Sequence, residues 1–459
     1  MEIGDNNFAK EKITRLIFKF AVPSILALLV SELYNVVDTI YVGHYIGIDA
    51  LAAVTIAFPI QKLLIATGLL IAVGSSTYCA RSLGRKDNEG FGKMVLTSIG
   101  ITVIVLLFIS LIIFIFRGPI FFALGAGKLT YGLVDKYVSI ILLGGIFQSL
   151  SVVVCYIMIA LKKTSALLYT NLVGVTLNIV VNYILIVVFG FGIEGAALAT
   201  VISQISAFVF AFFKFKEVAA VFNISISIKS IYKSIRMDNV IDIITVGFST
   251  FVIEFEDALV SIVLNSILYS QGGNSAIVMM GIITKVSMFL YVVIIGISYG
   301  IQPIIAYNCG AQDHSKIRSV LITSIKTILL TSFVCLLVFI VLANSIIGFF
   351  LNDSNLINET VRTFRLCTFL VPFTGIYYIV INYYQAIGEA KKSFLFSIYK
   401  EILIFIPLSL MLIQLFGLNG LWYAYPAADA VAAITAVYFL NQVLNENESH
   451  NLKSSFAAK

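Results

Sequence analysis

Apolar residues in this chain run in long unbroken stretches, and polar residues collect in short gaps between them. A helix crossing the ~30 Å hydrocarbon core of a bilayer needs about 20 such residues. Twelve stretches reach that length, at about 16–42, 51–79, 94–116, 136–161, 166–189, 195–215, 240–268, 276–308, 319–347, 364–388, 394–416 and 420–441. Membrane β-barrels instead use roughly ten-residue segments of alternating hydrophobicity, so the continuity of these runs excludes them. The pattern predicts an all-α integral membrane protein with 12 transmembrane helices.

Composition agrees. The chain is 60% hydrophobic and 12% charged, with mean hydropathy +1.01, against about 45–50% and 25% for soluble domains. The net charge of +6 does not mark nucleic-acid binding, because Lys and Arg sit in short inter-segment loops, where they act as topology signals. On the side holding the N-terminus there are 21 of them and on the other side five, with four more inside segments. That bias predicts both termini in the cytoplasm and a multi-pass protein of the inner (plasma) membrane. The run after Arg15 is far longer than the apolar core of a cleavable signal peptide. The five cysteines, scattered through apolar runs, read as packing residues.

The chain repeats itself. A shift of 226 residues lays Gly74, Ala80, Gly84 and Asp87 onto Gly300, Ala306, Gly310 and Asp313. A shift of 225 lays Phe191-Gly192-Ile193-Glu194-Gly195 onto Phe416-Gly417-Leu418-Asn419-Gly420, and Lys162-Lys163-Thr164 resembles Lys391-Lys392-Ser393. Six segments per half means both halves insert the same way, a parallel repeat about an axis along the membrane normal. The expected organisation is therefore two pseudo-symmetric six-helix bundles, 1–225 with a cytoplasmic N-terminal segment and 226–459 with a short cytoplasmic tail. Two bundles around a midplane cavity are the usual build of an alternating-access transporter.

Intramembrane polar residues are expensive and mark functional paths. Segment 1 carries Glu32, Asn35 and Asp38, which advance by three along one face. Segment 5 sets Asn171, Asn178 and Asn182 within about 40° of arc, and segment 6 adds Thr200, Ser203 and Gln204 within about 100°. Asp38 is expected to meet these faces in a pocket of the N-half; interhelical amide bonding is the other reading of the asparagines. The C-half has Glu254, Glu256 and Asp257 on segment 7, with Glu254 and Asp257 sharing a face and Lys285 as a candidate ion-pair partner. Lys400, Glu401 and Asp429 are further intramembrane charges. Glu32, Glu401 and Asp429 carry no assigned role at this level. Leaving out the outermost four residues at each segment end, carboxylates outnumber basic groups seven to four, which favours cationic cargo, and the 13% aromatic content offers faces for planar cations.

Four stretches stand out: Val37-Asp38-Thr39-Ile40-Tyr41-Val42-Gly43, Gly74 to Asp87, Gly195-Ala196-Ala197-Leu198-Ala199-Thr200, and Gly300-Ile301-Gln302-Pro303 to Tyr307-Asn308-Cys309-Gly310-Ala311. Together they resemble the multidrug and toxic compound extrusion (MATE) family. The resemblance covers about residues 12 to 442. It implies a secondary active multidrug exporter, antiporting cationic amphipathic compounds against H⁺ or Na⁺ by alternating access. It also implies that Asp38, Asn178 and Thr200 stand at coupling positions of the proton-coupled members, and that Pro23 lies where their first helix bends. Asn182 departs from the pattern, standing where a second Asp is expected; an amide offers a cation its carbonyl oxygen but takes up no proton near neutral pH. The segment 7 carboxylate of Na⁺-coupled members aligns with Asp257 or Glu256, whereas their segment 10 Asp has no counterpart. Na⁺ near Asp38 or Asp257 is thus the one metal candidate. The expected partners are the lipid bilayer and small cationic or amphipathic substrates, with no cofactor, a monomeric state and no enzymatic activity. The alternative is a lipid-linked oligosaccharide flippase of the same superfamily, disfavoured because no Arg lies inside a segment core. Gly125-Ala126-Gly127-Lys128 evokes a phosphate loop, but the flanking Phe122 and Leu129 break the Walker A pattern.

Overall fold

The computed structural model describes residues 12–127, 130–350 and 354–457; the side chains of Asn35 and Asp257 lie outside the described residues. The described chain is helical almost throughout, as lipid requires of any backbone that cannot bond to water. Before the midpoint the helices are α1 (Ile13–Tyr41), α2 (Ile48–Gly84), α3 (Asn88–Ile115), α4 (Arg117–Ala123), α5 (Tyr131–Ala160), α6 (Ala166–Asn182), α7 (Gly192–Val221) and α8 (Ile228–Ser234). Beyond it come α9 (Met237–Gly310), α10 (His314–Gly348), α11 (Ser354–Thr368), α12 (Val371–Ile387), α13 (Ala390–Ile398), α14 (Ile406–Phe416) and α15 (Leu418–Ala457). π-Helical turns follow α1 at Val42–Ile46, α6 at Tyr183–Val188 and α13 at Tyr399–Phe405.

Among the described residues ten helices are long and apolar enough to cross a membrane, and one bent pair makes an eleventh candidate. That pair is α11 and α12, meeting at 42° where one segment was expected at 364–388. Pro372 lies in the first turn of α12; it has no N–H to return to Thr368, so one continuous helix is broken there. Segments 7 and 8 differ the other way, because α9 stays helical through 269–275, where a loop was expected. Gly272 and Gly273 fall in that gap, but glycine only weakens a helix, by about 1 kcal/mol each. The element is not straight. Tyr291 touches Lys400, Lys400 N–H donates to Tyr377, and Glu256 also lies near Tyr377. Thirty-five residues of straight helix would separate Glu256 from Tyr291 by about 50 Å, so α9 folds back between them.

The repeat is legible in backbone detail. Asp87 caps α3 by accepting from Gly90 N–H at 2.8 Å, and Asp313 caps α10 by accepting from Lys316 N–H at 3.0 Å. The residues before them, Lys86 and Gln312, are both left-handed, at φ 62° and 58°. Lys162 and Gly388 form a second such pair, at φ 66° and 83°. The register is thus 226 residues there too, and the match of Lys162-Lys163 to Lys391-Lys392 is three residues out. Exposed apolar stripes repeat as well: Ile104, Phe108, Leu111 and Ile115 on α3 answer Leu330, Val334, Leu337 and Val341 on α10. Large contiguous apolar faces of this kind fit lipid rather than water.

The chain packs as two compact units whose borders differ from the expected 225/226 division. Unit one holds 26–251; unit two holds 252–459 together with the described residues 12–25. Each repeat therefore lends the start of its first segment to the other unit. Close backbone approach explains the exchange. In unit one, Gly74 of α2 faces the Ile243 carbonyl and Gly247 of α9 faces the Leu70 carbonyl, each with no room for a Cβ. In unit two, a Cβ on Gly300 would fall 2.9 Å from Ala21 N, and one on Gly296 3.0 Å from Ile25 N. Gly296 and Gly300 are a G-x-x-x-G pair, the spacing that lets two membrane helices touch.

Candidate functional site

The site in unit one is built on α1, α6 and α7. Asn171 of α6 donates its amide to the Ala27 carbonyl at 3.0 Å, fixing α1 against α6 one turn beyond Pro23. Tyr34 donates its hydroxyl to the Thr200 carbonyl of α7 at 3.2 Å. One turn further along α1, half-buried Asp38 sits between the two partner helices. Its Oδ1 accepts from Asn182 Nδ2 at 2.7 Å, and its Oδ2 accepts from the Thr200 hydroxyl at 2.9 Å. Both donors are neutral, and among the described residues no Lys or Arg forms an ion pair with this carboxylate.

Asn178 is fully buried beside Asp38 and Tyr34, yet neither of its amide atoms makes a hydrogen bond of good geometry; Asn182 Oδ1 is also buried and unpaired. Buried polar atoms without partners are rare and costly. A carboxylate with two orphaned amide oxygens and a hydroxyl is an all-oxygen environment suited to a proton or a hard monovalent cation. Among the described residues no three His, Cys, Asp or Glu side chains converge, so a Na⁺ ion at Asp38 would rely on these amide and hydroxyl oxygens. Asn182 directly precedes the π-helical turn at Tyr183–Val188, and Asp38 lies one helical turn before the one at Val42–Ile46. Such turns recur at functional sites, because they let a helix present side chains off the α-helical register.

The structure thus brings Asp38, Asn178, Asn182 and Thr200 together. Ser203, Gln204 and Glu32 of the polar faces are not bonded to Asp38, and the side chain of Asn35 lies outside the described residues. Ser203 donates to the Ala199 carbonyl of its own helix at 2.6 Å, and Gln204 donates to Gln148 of α5 at 2.9 Å. Glu32 is half-buried on α1 and is not among the groups bonded to Asp38. Tyr34 is the residue the sequence reading missed; its signal is a hydroxyl four residues before Asp38, hence on the same helical face.

In unit two the described carboxylates of the acidic group on α9 differ in burial. Glu256 is 5% exposed, Glu254 is half-buried, and the side chain of Asp257 lies outside the described residues. Lys285 is exposed, and among the described residues it forms no ion pair with Glu254 or Glu256. Pairing with Glu254 or Glu256 is not formed because of the way α9 is turned, and pairing with Asp257 lies outside the described residues. Ile282, Ile283, Val286 and Leu290 pack inward, which leaves position 285 on the outer side, away from buried Glu256.

A sequence profile described as MatE matches residues 23–184 and 251–411, well over half of the chain and once in each repeat. The chain belongs to the MatE family. Among its relatives, the multidrug export protein MepA of Staphylococcus saprophyticus is 26% identical over 453 residues, covering 97% of this chain and 98% of the relative. MepA of Staphylococcus aureus is 25% identical over 445 residues, covering 96% and 97%. An outward-facing multidrug resistance MATE family transporter of the MOP superfamily has the same fold, with TM-score 0.89, 21% identity and 96% and 98% coverage. So does a MOP superfamily transporter from Pyrococcus furiosus, with TM-score 0.88, 22% identity and the same coverages. The MatE fold accounts for the repeat of twelve expected segments and for the all-helical, multi-pass membrane architecture.

Proposed function

We propose that this MatE protein is a secondary active exporter of cationic, amphipathic compounds, driven by inward flow of H⁺ or Na⁺ through alternating access. The observation that carries the reading is Asp38, a carboxylate at membrane depth held by an amide and a hydroxyl, with no basic partner among the described residues. Cation or proton occupancy neutralises it, and a ligand that binds one of two conformations better shifts the balance toward that conformation. Cargo and coupling ion are linked when each binds the opposite states with different affinity. The relatives named multidrug export protein over nearly their full length support drug-like cargo. Pro23 and the passage of α1 from unit two to unit one after Ile25 support a bend in α1 as the moving part. The Lys and Arg bias supports a plasma-membrane protein with both termini in the cytoplasm.

The test is efflux of a fluorescent organic cation from vesicles holding the purified protein, with pH and Na⁺ gradients imposed separately. One gradient drives efflux in the native protein, and Asp38→Asn removes that drive while the protein still inserts. Efflux indifferent to both gradients, or unaltered in Asp38→Asn, overturns the reading.

A further inference from the structure

Unit two buries a charge cluster that plays no part in the site at Asp38. Lys400 is the second residue of the π-helical turn between α13 and α14. Its Nζ lies 3.0 Å from Asp429 Oδ1 on α15, 3.1 Å from Glu401 Oε1 and 3.4 Å from the Tyr291 hydroxyl on α9. We propose that Lys400, Glu401 and Asp429 form a second ion site of this protein, one that binds a single proton.

The charges decide the ligand. One ammonium faces two carboxylates, which leaves the cluster one positive charge short of neutrality. Lys400 and Asp429 are 6% and 2% exposed, where a charge without compensation is strongly disfavoured. Asp429 Oδ2 is buried and has no hydrogen-bond partner. The groups facing the cluster from neighbouring elements are Tyr291 of α9, Tyr377 and Tyr378 of α12, Tyr425 of α15 and Cys367 of α11, with Glu256 beyond Tyr377. Among these described groups Lys400 is the only cation. The lysine ammonium already fills the space between the carboxylates, so a proton fits there and a metal ion with its shell of oxygens does not. Glu401, with 24% of its side chain exposed, is the member of the cluster that is not sealed inside the protein. One proton taken up from water by the carboxylate pair makes the cluster neutral and leaves Lys400 with a single ionised partner. Of the two ion pairs only Lys400–Asp429 ties the π turn to another helix, since Lys400–Glu401 lies within the turn. The proposal extends the cation coupling proposed above to the second unit, at residues distinct from Asp38.

The chain carries its own reporter. Trp422 is the single tryptophan, 3% exposed and seven residues before Asp429 on α15, hence on the same face. The full-length protein in lipid nanodiscs is titrated with acid while tryptophan fluorescence is followed. One transition is expected in the native protein and in Asp38→Asn. It is lost in Glu401→Gln, a mild change at a partly exposed position, and in Asp429→Asn, with each variant checked for a single gel-filtration peak. No transition in the native protein, or one unchanged in Glu401→Gln, overturns the proposal. A transition that behaves as expected in a protein whose efflux ignores both gradients leaves the proton site standing and removes the exporter reading.

Discussion

Asn182 Nδ2 donates to Asp38 Oδ1 at 2.7 Å, so an amide stands within hydrogen-bond reach of a carboxylate that has no charged partner among the described residues. The next helical turn of α6 adds Asn178, buried with neither amide atom in a hydrogen bond of good geometry. Two carboxylates at such a distance share one proton rather than ionise together. Asn182→Asp is therefore expected to tie the site to protons. Its efflux should depend steeply on pH, and any Na⁺-driven component should fall by about tenfold, a loss of about 1.4 kcal/mol in binding. Vesicle efflux under separate gradients measures this, and a pH profile identical to the native one contradicts it.

Thr200 holds the other oxygen of Asp38 through its hydroxyl, at 2.9 Å. A hydrogen bond to a charged group contributes about 1.5–3 kcal/mol, so Thr200→Val is expected to lower gradient-driven efflux by about one to two orders of magnitude. Thr200→Ser keeps the hydroxyl and should retain most activity. Equal loss in both variants, at equal protein abundance, would show that the methyl group and not the hydroxyl matters.

Gly247 and Gly74 allow α9 and α2 to cross with backbone against backbone, and Gly300 does the same for α9 and α1. A methyl group at Gly247 has only the Leu70 backbone to displace, and overpacking of this sort costs about 1–3 kcal/mol. Gly247→Ala and Gly300→Ala should both lower the unfolding midpoint in detergent. Gly281, where an added Cβ would meet nothing within 4 Å, is the control, and Gly281→Ala should leave the midpoint unchanged or slightly raised.

Asp87 and Asp313 cap α3 and α10 in matching turns. Loss of an N-cap side chain costs about 1 kcal/mol. Asp87→Ala and Asp313→Ala should therefore lower stability by similar amounts, and in combination additively, since the two caps lie in different units. Denaturant unfolding of the two variants and the double variant measures it.

Much of the fold was legible because lipid leaves few choices. A run of about 20 apolar residues has to become a helix, and most expected segments coincide with helices to within a few residues. Asp38, Asn178, Asn182 and Thr200 were legible for a related reason, since polar groups at membrane depth seek one another. The C-half was harder to read, because spacing along one helix says nothing about which helix lies opposite. Lys285 was matched with the α9 carboxylates and is instead exposed, whereas Lys400 reaches Asp429 on α15 at 3.0 Å.

The amino-acid sequence by itself determined the helical class, the number of expected segments, the 226-residue repeat and the polar faces, all of which follow from local spacing and hydrophobicity. Only the tertiary structure decided that 12–25 and 237–251 are exchanged between the units, that Tyr34 joins Thr200, and that Lys400, Glu401 and Asp429 meet. Those relationships depend on how closely backbones approach at Gly74, Gly247, Gly296 and Gly300, and on where π-helical turns shift side chains out of register. Both are properties of helices packed together, which no periodicity along a single helix contains.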